Sequence, residues 1–164
     1  MKKVVKFGGS SLANAEQFQK VGDIIRSDER RRYVVPSAPG KRFSADTKVT
    51  DLLYTCYGKA EAGEDFTDAL TEIKGRFYEI IKGLNLDLSL EEEFRQIEAD
   101  FKAHAGNEYA ASRGEFLNGK VMAAYLGYEF IDSATVIRFD KNGNFDADKT
   151  DKLLSKRLQK CERA

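Results

Sequence analysis

The sequence predicts an α/β fold whose parallel sheet starts at the N-terminus and is then interrupted by a helical excursion. Two short apolar runs, residues 4–6 and 33–36, flank an amphipathic stretch at 14–27, the pattern of a right-handed βαβ crossover. Between 66 and 126 three helical periodicities follow one another with no strand between them. Strand-like residues then return at 128–131 and 134–139. At 164 residues the chain fits one domain of ordinary size and can bury a core.

Each element has a local cause. Val4 and Val5 lead into Lys6-Phe7-Gly8-Gly9, so the first strand stops where glycine begins. Phe18, Val21, Ile24 and Ile25 recur at helical spacing in the first helix. After Tyr33-Val34-Val35-Pro36, Pro39 and Gly40 break the pattern into a polar loop that runs through Lys48. Thr50-Asp51 then supplies a helix start ahead of Leu52-Leu53. Phe66, Leu70, Ile73, Phe77, Ile80, Ile81 and Leu84 give the 66–84 helix a broad apolar face. Ser89 is placed to cap a helix over 90–104 built on Leu90, Phe94, Ile97 and Phe101. A third helix, 114–126, carries Phe116, Leu117, Val121, Met122 and Tyr125. Asn142-Gly143 suits a type I′ hairpin turn, and a last helix covers 150–160.

Composition narrows the functional classes. Lys plus Arg and Asp plus Glu number 27 each, so no global field draws the chain to nucleic acid or an anionic membrane. Arg30-Arg31-Arg32 follows Asp28 and Glu29 and reads as a solvated loop. No apolar segment has the length of a membrane span, and the N-terminus lacks a signal peptide's apolar core. Cys56 and Cys161 belong to no CxxC or Cys/His cluster, which points to a reducing cytoplasm and inert thiols. His104, the only histidine, sits near the polar end of a helix as a surface residue, and no metal-ligand spacing occurs.

The chemistry-bearing residues cluster after predicted strands, where open α/β sheets bind ligands. Lys6, Gly8, Gly9 and Ser10 follow the first strand: a charge, two glycines that permit close approach, and a hydroxyl. A phosphate held there would also meet the positive end of the following helix. Ser37 follows the second strand. Ser112-Arg113-Gly114-Glu115 precedes a helix; Ser112 and Glu115 have capping-box spacing, and Glu115 could equally face a ligand amine. A Walker loop is excluded, because Val35 stands where its first glycine belongs and Arg42 where its Ser/Thr belongs. An EF-hand reading of Asp140, Asn142, Asn144 and Asp151 fails on Phe145, which occupies the glycine position.

Taken together these motifs resemble the amino acid kinases, and within them the aspartate kinases. Lys6-Phe-Gly-Gly-Ser-Ser11 resembles K-F-G-G-[ST]-S, Val34-Val-Pro-Ser-Ala38 V-V-x-S-A, Thr50-Asp-Leu-Leu53 T-[DN]-L-L, and Ser112-Arg-Gly-Glu115 S-x-G-E, in family order. The resemblance implies a three-layer α/β/α sandwich and transfer of the ATP γ-phosphate to the side-chain carboxylate of L-aspartate, the first step toward lysine, threonine and methionine. It implies that Lys6 stabilises the transferring phosphoryl group, with Gly8, Gly9 and Ser10 as donors and Ser37 shaping the phosphate site. Thr50 and Glu115 would bind aspartate, Glu115 facing its α-amino group. Mg²⁺ would arrive with ATP, with no protein metal cage, and the complete enzyme is expected to be a cytoplasmic homo-oligomer.

The same resemblance marks what residues 1–164 do not contain: the family's T-x-L-G-R-G-G-S-D and W-T-D-V-x-G segments, an arginine for the aspartate carboxylate, and the paired ACT regulatory domains. The chain also ends straight after a helix, where an α/β pattern calls for a strand. The expectation is therefore the N-terminal, aspartate- and phosphate-site portion of a catalytic domain, inactive alone. The competing expectation is a stand-alone, non-catalytic binding or interaction domain that kept the fold. The loop from Gly40 to Val49 is longer and more polar than in many relatives.

Overall fold

In the computed structural model, which describes residues 1–164, β1 (Lys3–Phe7) and β2 (Arg31–Pro36) pair in parallel around α1 (Ala15–Arg26). Val4 lies opposite Tyr33, Val5 opposite Val34, Lys6 opposite Val35 and Phe7 opposite Pro36. The Ser37 N–H donates to Phe7 O at 3.0 Å, which carries the ladder one step past β2. A 3₁₀ turn, Gly9–Leu12, bridges β1 and α1. Asn14 then starts α1 by accepting the Gln17 N–H at 3.0 Å, the standard relief for an unpaired first-turn donor. Phe18, Val21 and Ile25 of α1 are buried, whereas Ile24, expected on the same face, is exposed.

After α2 (Val49–Glu61), the expected helical excursion is present as α3 (Thr67–Gly83), α4 (Glu91–Lys102) and a longer α5 (Asn107–Leu126). α5 runs against α2 and also touches α1, α3, α4 and β2, so it joins the helical part to the sheet. One continuous core results, with Leu53 and Tyr57 from α2, Phe77 from α3, Phe94 and Phe101 from α4, and Leu117 from α5. Phe101 meets the Tyr57 ring edge-on at 5.3 Å and the Phe66 ring at 6.3 Å. Burying a side chain of that size contributes about 2–3 kcal/mol. Burial also pushes the Cys56 thiol up to about 11, in keeping with an inert core residue. His104 is exposed just past the end of α4, as expected.

Four local expectations change. Residues 128–131 have no regular structure, and 134–139 are not a strand. Ser133–Val136 instead form a one-turn helix, α6, because the Asp132 carboxylate accepts the Ala134 N–H at 2.9 Å. The Arg138 guanidinium then donates to Ala134 O and Thr135 O at the other end of that turn. Phe139 keeps only an isolated antiparallel bridge to Phe145. The turn between them is not type I′, since Gly143 has φ +80° while Asn142 stays out of the left-handed region. Asp140 dictates it by accepting the N–H groups of Asn142 and Asn144 at 2.8 and 2.9 Å. The last helix, α7 (Ala147–Leu158), starts three residues early because Asp146 caps it through the Lys149 N–H. Finally, α5 begins at Asn107, so Ser112 lies inside the helix and caps nothing; its hydroxyl donates to Tyr109 O at 2.7 Å.

Val5, Phe7 and Val34 turn one side of the sheet to the helical core. Val4 is 68% exposed and Val35 49% exposed on the other. A groove of about 310 Å³, lined mainly by apolar residues such as Val35, Met122, Phe130 and Leu154, runs along that side. Ala164 lies on the outer edge of β2, its N–H donating to Arg32 O and its O accepting from Val34 N–H at 3.0 and 2.8 Å. No helix is long and apolar enough to cross a membrane.

Candidate active site

The site is built where the two strand exits meet. The Gly40 N–H donates to Gly9 O at 2.8 Å, so the loops after β1 and β2 touch backbone to backbone. A Cβ on Gly9 would stand 2.8 Å from Ala38 O, and one on Gly40 would stand 2.6 Å from the Gly9 carbonyl carbon. Glycine is required at both by close approach, not by φ. Gly8 differs: its backbone is extended (φ −78°, ψ 167°) and a Cβ there would meet nothing within 4 Å.

A pocket of about 460 Å³ opens over this junction, and it gathers Gly9, Ser10, Ser37, Thr50 and Glu115. Lys6 and Gly8 are not on its wall. The Lys6 side chain points away with Val4 on the exposed face of β1, and no acidic group pairs with it. Thr50 is the second residue of α2, whose first turn has no side-chain cap and is tied instead by the Val49 N–H to Pro39 O at 3.1 Å. The positive end of the α2 dipole therefore faces the pocket.

Glu115 reaches the site from α5. Its Oε1 accepts the Ala38 N–H at 3.3 Å, joining residues 77 apart in sequence. Gly114 allows this, because a Cβ there would stand 2.7 Å from the Ala38 Cβ. Asn118, one turn further along α5 and fully buried, donates Nδ2 to Ser37 O at 2.7 Å, leaving its own Oδ1 unpartnered. Sequence reasoning missed Asn118. The available signal was a polar residue three positions after Glu115, inside an apolar helical stripe.

The polar loop after Gly40 is also part of the site. Arg76 of α3 is 3% exposed and donates to Gly40 O at 2.7 Å and Thr47 O at 2.8 Å. Its charge is met by Asp46 at 3.2 Å. Arg42 grips the same carboxylate through Nε and Nη2 at 2.9 and 3.0 Å. Those hydrogen bonds, with the Arg76 charge, hold the Asp46 carboxyl well below the usual carboxylate range against its burial. Burial, with Arg42 nearby, pulls the Arg76 guanidinium below its ordinary value, and Asp46 opposes this. Lys41 and Lys48 line the pocket on either side of this knot. The pocket thus offers cations and one carboxylate, suited to a ligand that carries charges of both signs.

Residues 1–160 match the amino acid kinase family. Aspartokinase 3 of Bacillus subtilis (strain 168) is 40% identical over 144 residues, 82% of this chain and 31% of that protein. Chloroplastic aspartokinase 1 of Arabidopsis thaliana is 32% identical over 136 residues, 75% of this chain and 23% of that protein. The crystal structure of Clostridium acetobutylicum aspartate kinase superposes over all of this chain and 38% of its own, with a TM-score of 0.95 and 46% identity. Escherichia coli aspartokinase III, solved with aspartate and ADP, shares the fold at a TM-score of 0.77 and 24% identity, over 98% of this chain and 39% of its own. The chain therefore spans about a third of the length of these relatives. On these likenesses the chain belongs to the amino acid kinase family and corresponds to the N-terminal catalytic portion of an aspartate kinase.

Proposed function

We propose that these residues form the amino-acid side of an enzyme that transfers the γ-phosphoryl group of ATP to the side-chain carboxylate of L-aspartate, giving 4-phospho-L-aspartate. The observation that carries this reading is the Glu115–Ala38 hydrogen bond, which sets a carboxylate beside Ser37, Thr50 and the Gly9–Gly40 junction in one pocket. Glu115 would take the α-amino group of aspartate and Thr50 would hydrogen-bond the substrate from the start of α2. Gly8, Gly9, Ser10 and Ser37 would present donors to the phosphoryl oxygens. Lys6 lies at the C-terminal end of β1 and not in the pocket wall, so its role requires the phosphoryl group to lie over the strand end.

A carboxylate is already a nucleophile at neutral pH, so this chemistry needs no general base. The protein's task reduces to positioning and to neutralising charge on the phosphoryl oxygens. Mg²⁺ would come with ATP, and its oxygen ligands would be mainly phosphate and water.

In this reading most contacts to ATP belong to sequence outside residues 1–164, so this polypeptide alone binds L-aspartate but turns over negligibly. Calorimetric titration with L-aspartate tests the first half. Binding weakened about tenfold by Glu115→Gln, the loss of one charge-assisted hydrogen bond, is the expected result. Equal affinity in that variant, or no binding by the wild-type chain, would sink the reading. ADP formation with aspartate, ATP and Mg²⁺ tests the second half, and robust turnover by the 164 residues would overturn it.

A further inference from the structure

We propose that Lys41 and Lys48 form an anion-binding wall of the pocket, and that Arg76 is the positioning residue that holds both lysines there. The starting point is where Arg76 spends its donors. One guanidinium nitrogen takes the carbonyl of Gly40 and the other takes the carbonyl of Thr47. Those are the residues immediately before Lys41 and Lys48. A single buried fork thus pins the loop just before each lysine, and both lysines line the pocket. Asp46, between them in sequence, neutralises the fork and is itself gripped by Arg42.

The two ammonium groups are available for a ligand. Neither makes a salt bridge, although the chain's other basic loop residue, Arg42, makes two. Lys48 makes no side-chain hydrogen bond, and Lys41 makes only a long one to Ser44 O at 3.4 Å. Arg42 is held by Asp46 and Glu79, and Arg76 by Asp46 and two backbone carbonyls with only its Nε unpartnered, so the loop divides its cations into two sets. The arginines build it and the lysines face the cavity. Arginine suits the first task because its planar fork bonds two carbonyls at once; lysine suits the second as a point charge on a flexible stem.

The uncapped first turn of α2 adds partial positive charge at the same wall, with Lys48 in its N-cap position. Glu115 supplies the one negative charge on the pocket's lining. A ligand with anionic groups at one end and an amine at the other would be oriented by this arrangement, its anions toward Lys41 and Lys48 and its amine toward Glu115. Naming that ligand as an acidic amino acid rests on the function proposed above. The anion wall itself does not.

Two probes separate these ideas: inorganic phosphate and L-aspartate, each titrated into the 164-residue chain by calorimetry at two salt concentrations. Lys41→Ala and Lys48→Ala change exposed side chains, so folding is preserved. Each is expected to weaken phosphate binding about tenfold and to flatten its salt dependence. Arg76→Lys keeps the buried charge but replaces the two nitrogens that hold Gly40 O and Thr47 O with one. It should weaken phosphate binding as much as a single lysine variant although both lysines remain, with faster amide exchange confined to residues 40–48. Phosphate bound equally by the wild type and the Lys41→Ala/Lys48→Ala double variant, or not at all, overturns the wall. Unchanged phosphate binding in Arg76→Lys overturns the positioning role. Phosphate binding that depends on the lysines, without L-aspartate binding, would uphold the wall and sink the aspartate reading.

Discussion

At the scale of single residues, the paired glycines after β1 do different work. Gly9 and Gly40 are in backbone contact, and Gly40→Ala would push a Cβ to 2.6–2.7 Å from three rigid backbone atoms. That overpacking should cost about 2–3 kcal/mol, read as a lower urea midpoint. Gly8→Ala meets open space at an extended backbone and should raise stability by about 0.4–1 kcal/mol. If Gly8 serves close approach of a ligand, its variant lowers phosphate affinity without loss of stability. Equal unfolding midpoints for Gly8→Ala and Gly40→Ala would refute this division. Sequence made Gly8, Gly9, Ser37, Thr50 and Glu115 visible because each stands at a break in periodicity or in a recognisable motif. Asn118 and Arg76 were invisible for the opposite reason. They sit within helical stripes, and only the partners that fold against them, Ser37 O and the Gly40–Thr47 loop, reveal their use.

At the scale of elements, helices were legible and late strands were not. A helix satisfies its own backbone, so the 66–84 periodicity sufficed to place α3 within a residue or two. A strand needs a neighbour, and Tyr128–Phe139 finds none in the sheet; Asp132 caps a short helix there instead. The loop between β2 and α2 is likewise decided from outside, by α3. Asp46 is the hinge of that contact, and its lowered carboxyl fixes the pH dependence. A carboxyl depressed on folding contributes stability that is complete above its unfolded value, about 3.9, and is lost as pH falls through the folded value. Asp46→Asn leaves Arg76 buried without its counter-charge and should cost about 3 kcal/mol at pH 7. The gap to wild type should narrow by about 1 kcal/mol at pH 3, measured by urea unfolding at both values. A gap independent of pH would mean that the pair contributes only by packing.

At the scale of the whole molecule, the fold is lopsided. α1 through α5 close one core around Phe77, Phe94 and Phe101, which is enough apolar burial for a stable body. The two-stranded sheet hangs on its edge, with Val4 and Val35 facing outward beside the groove lined by Met122, Phe130 and Leu154. Contiguous apolar surface of this kind is uncommon on an isolated folded chain, and water wets it at a cost that any apolar solute can relieve. The 164-residue chain should therefore enhance the fluorescence of anilinonaphthalene sulfonate while retaining a cooperative thermal transition, which separates a native apolar groove from a molten state. Val4→Thr with Val35→Thr puts two neutral hydroxyls on the exposed strand face at nearly unchanged shape, and should lower that signal without lowering the transition temperature. Both side chains are exposed and neither lines the pocket, so the substitutions leave the Gly9–Gly40 junction intact. Phosphate affinity is then the control: it should be the same in the double variant as in the wild type. Dye binding unchanged by both substitutions would place the apolar surface elsewhere, and loss of phosphate binding along with the dye would mean that the sheet face and the pocket are one coupled unit.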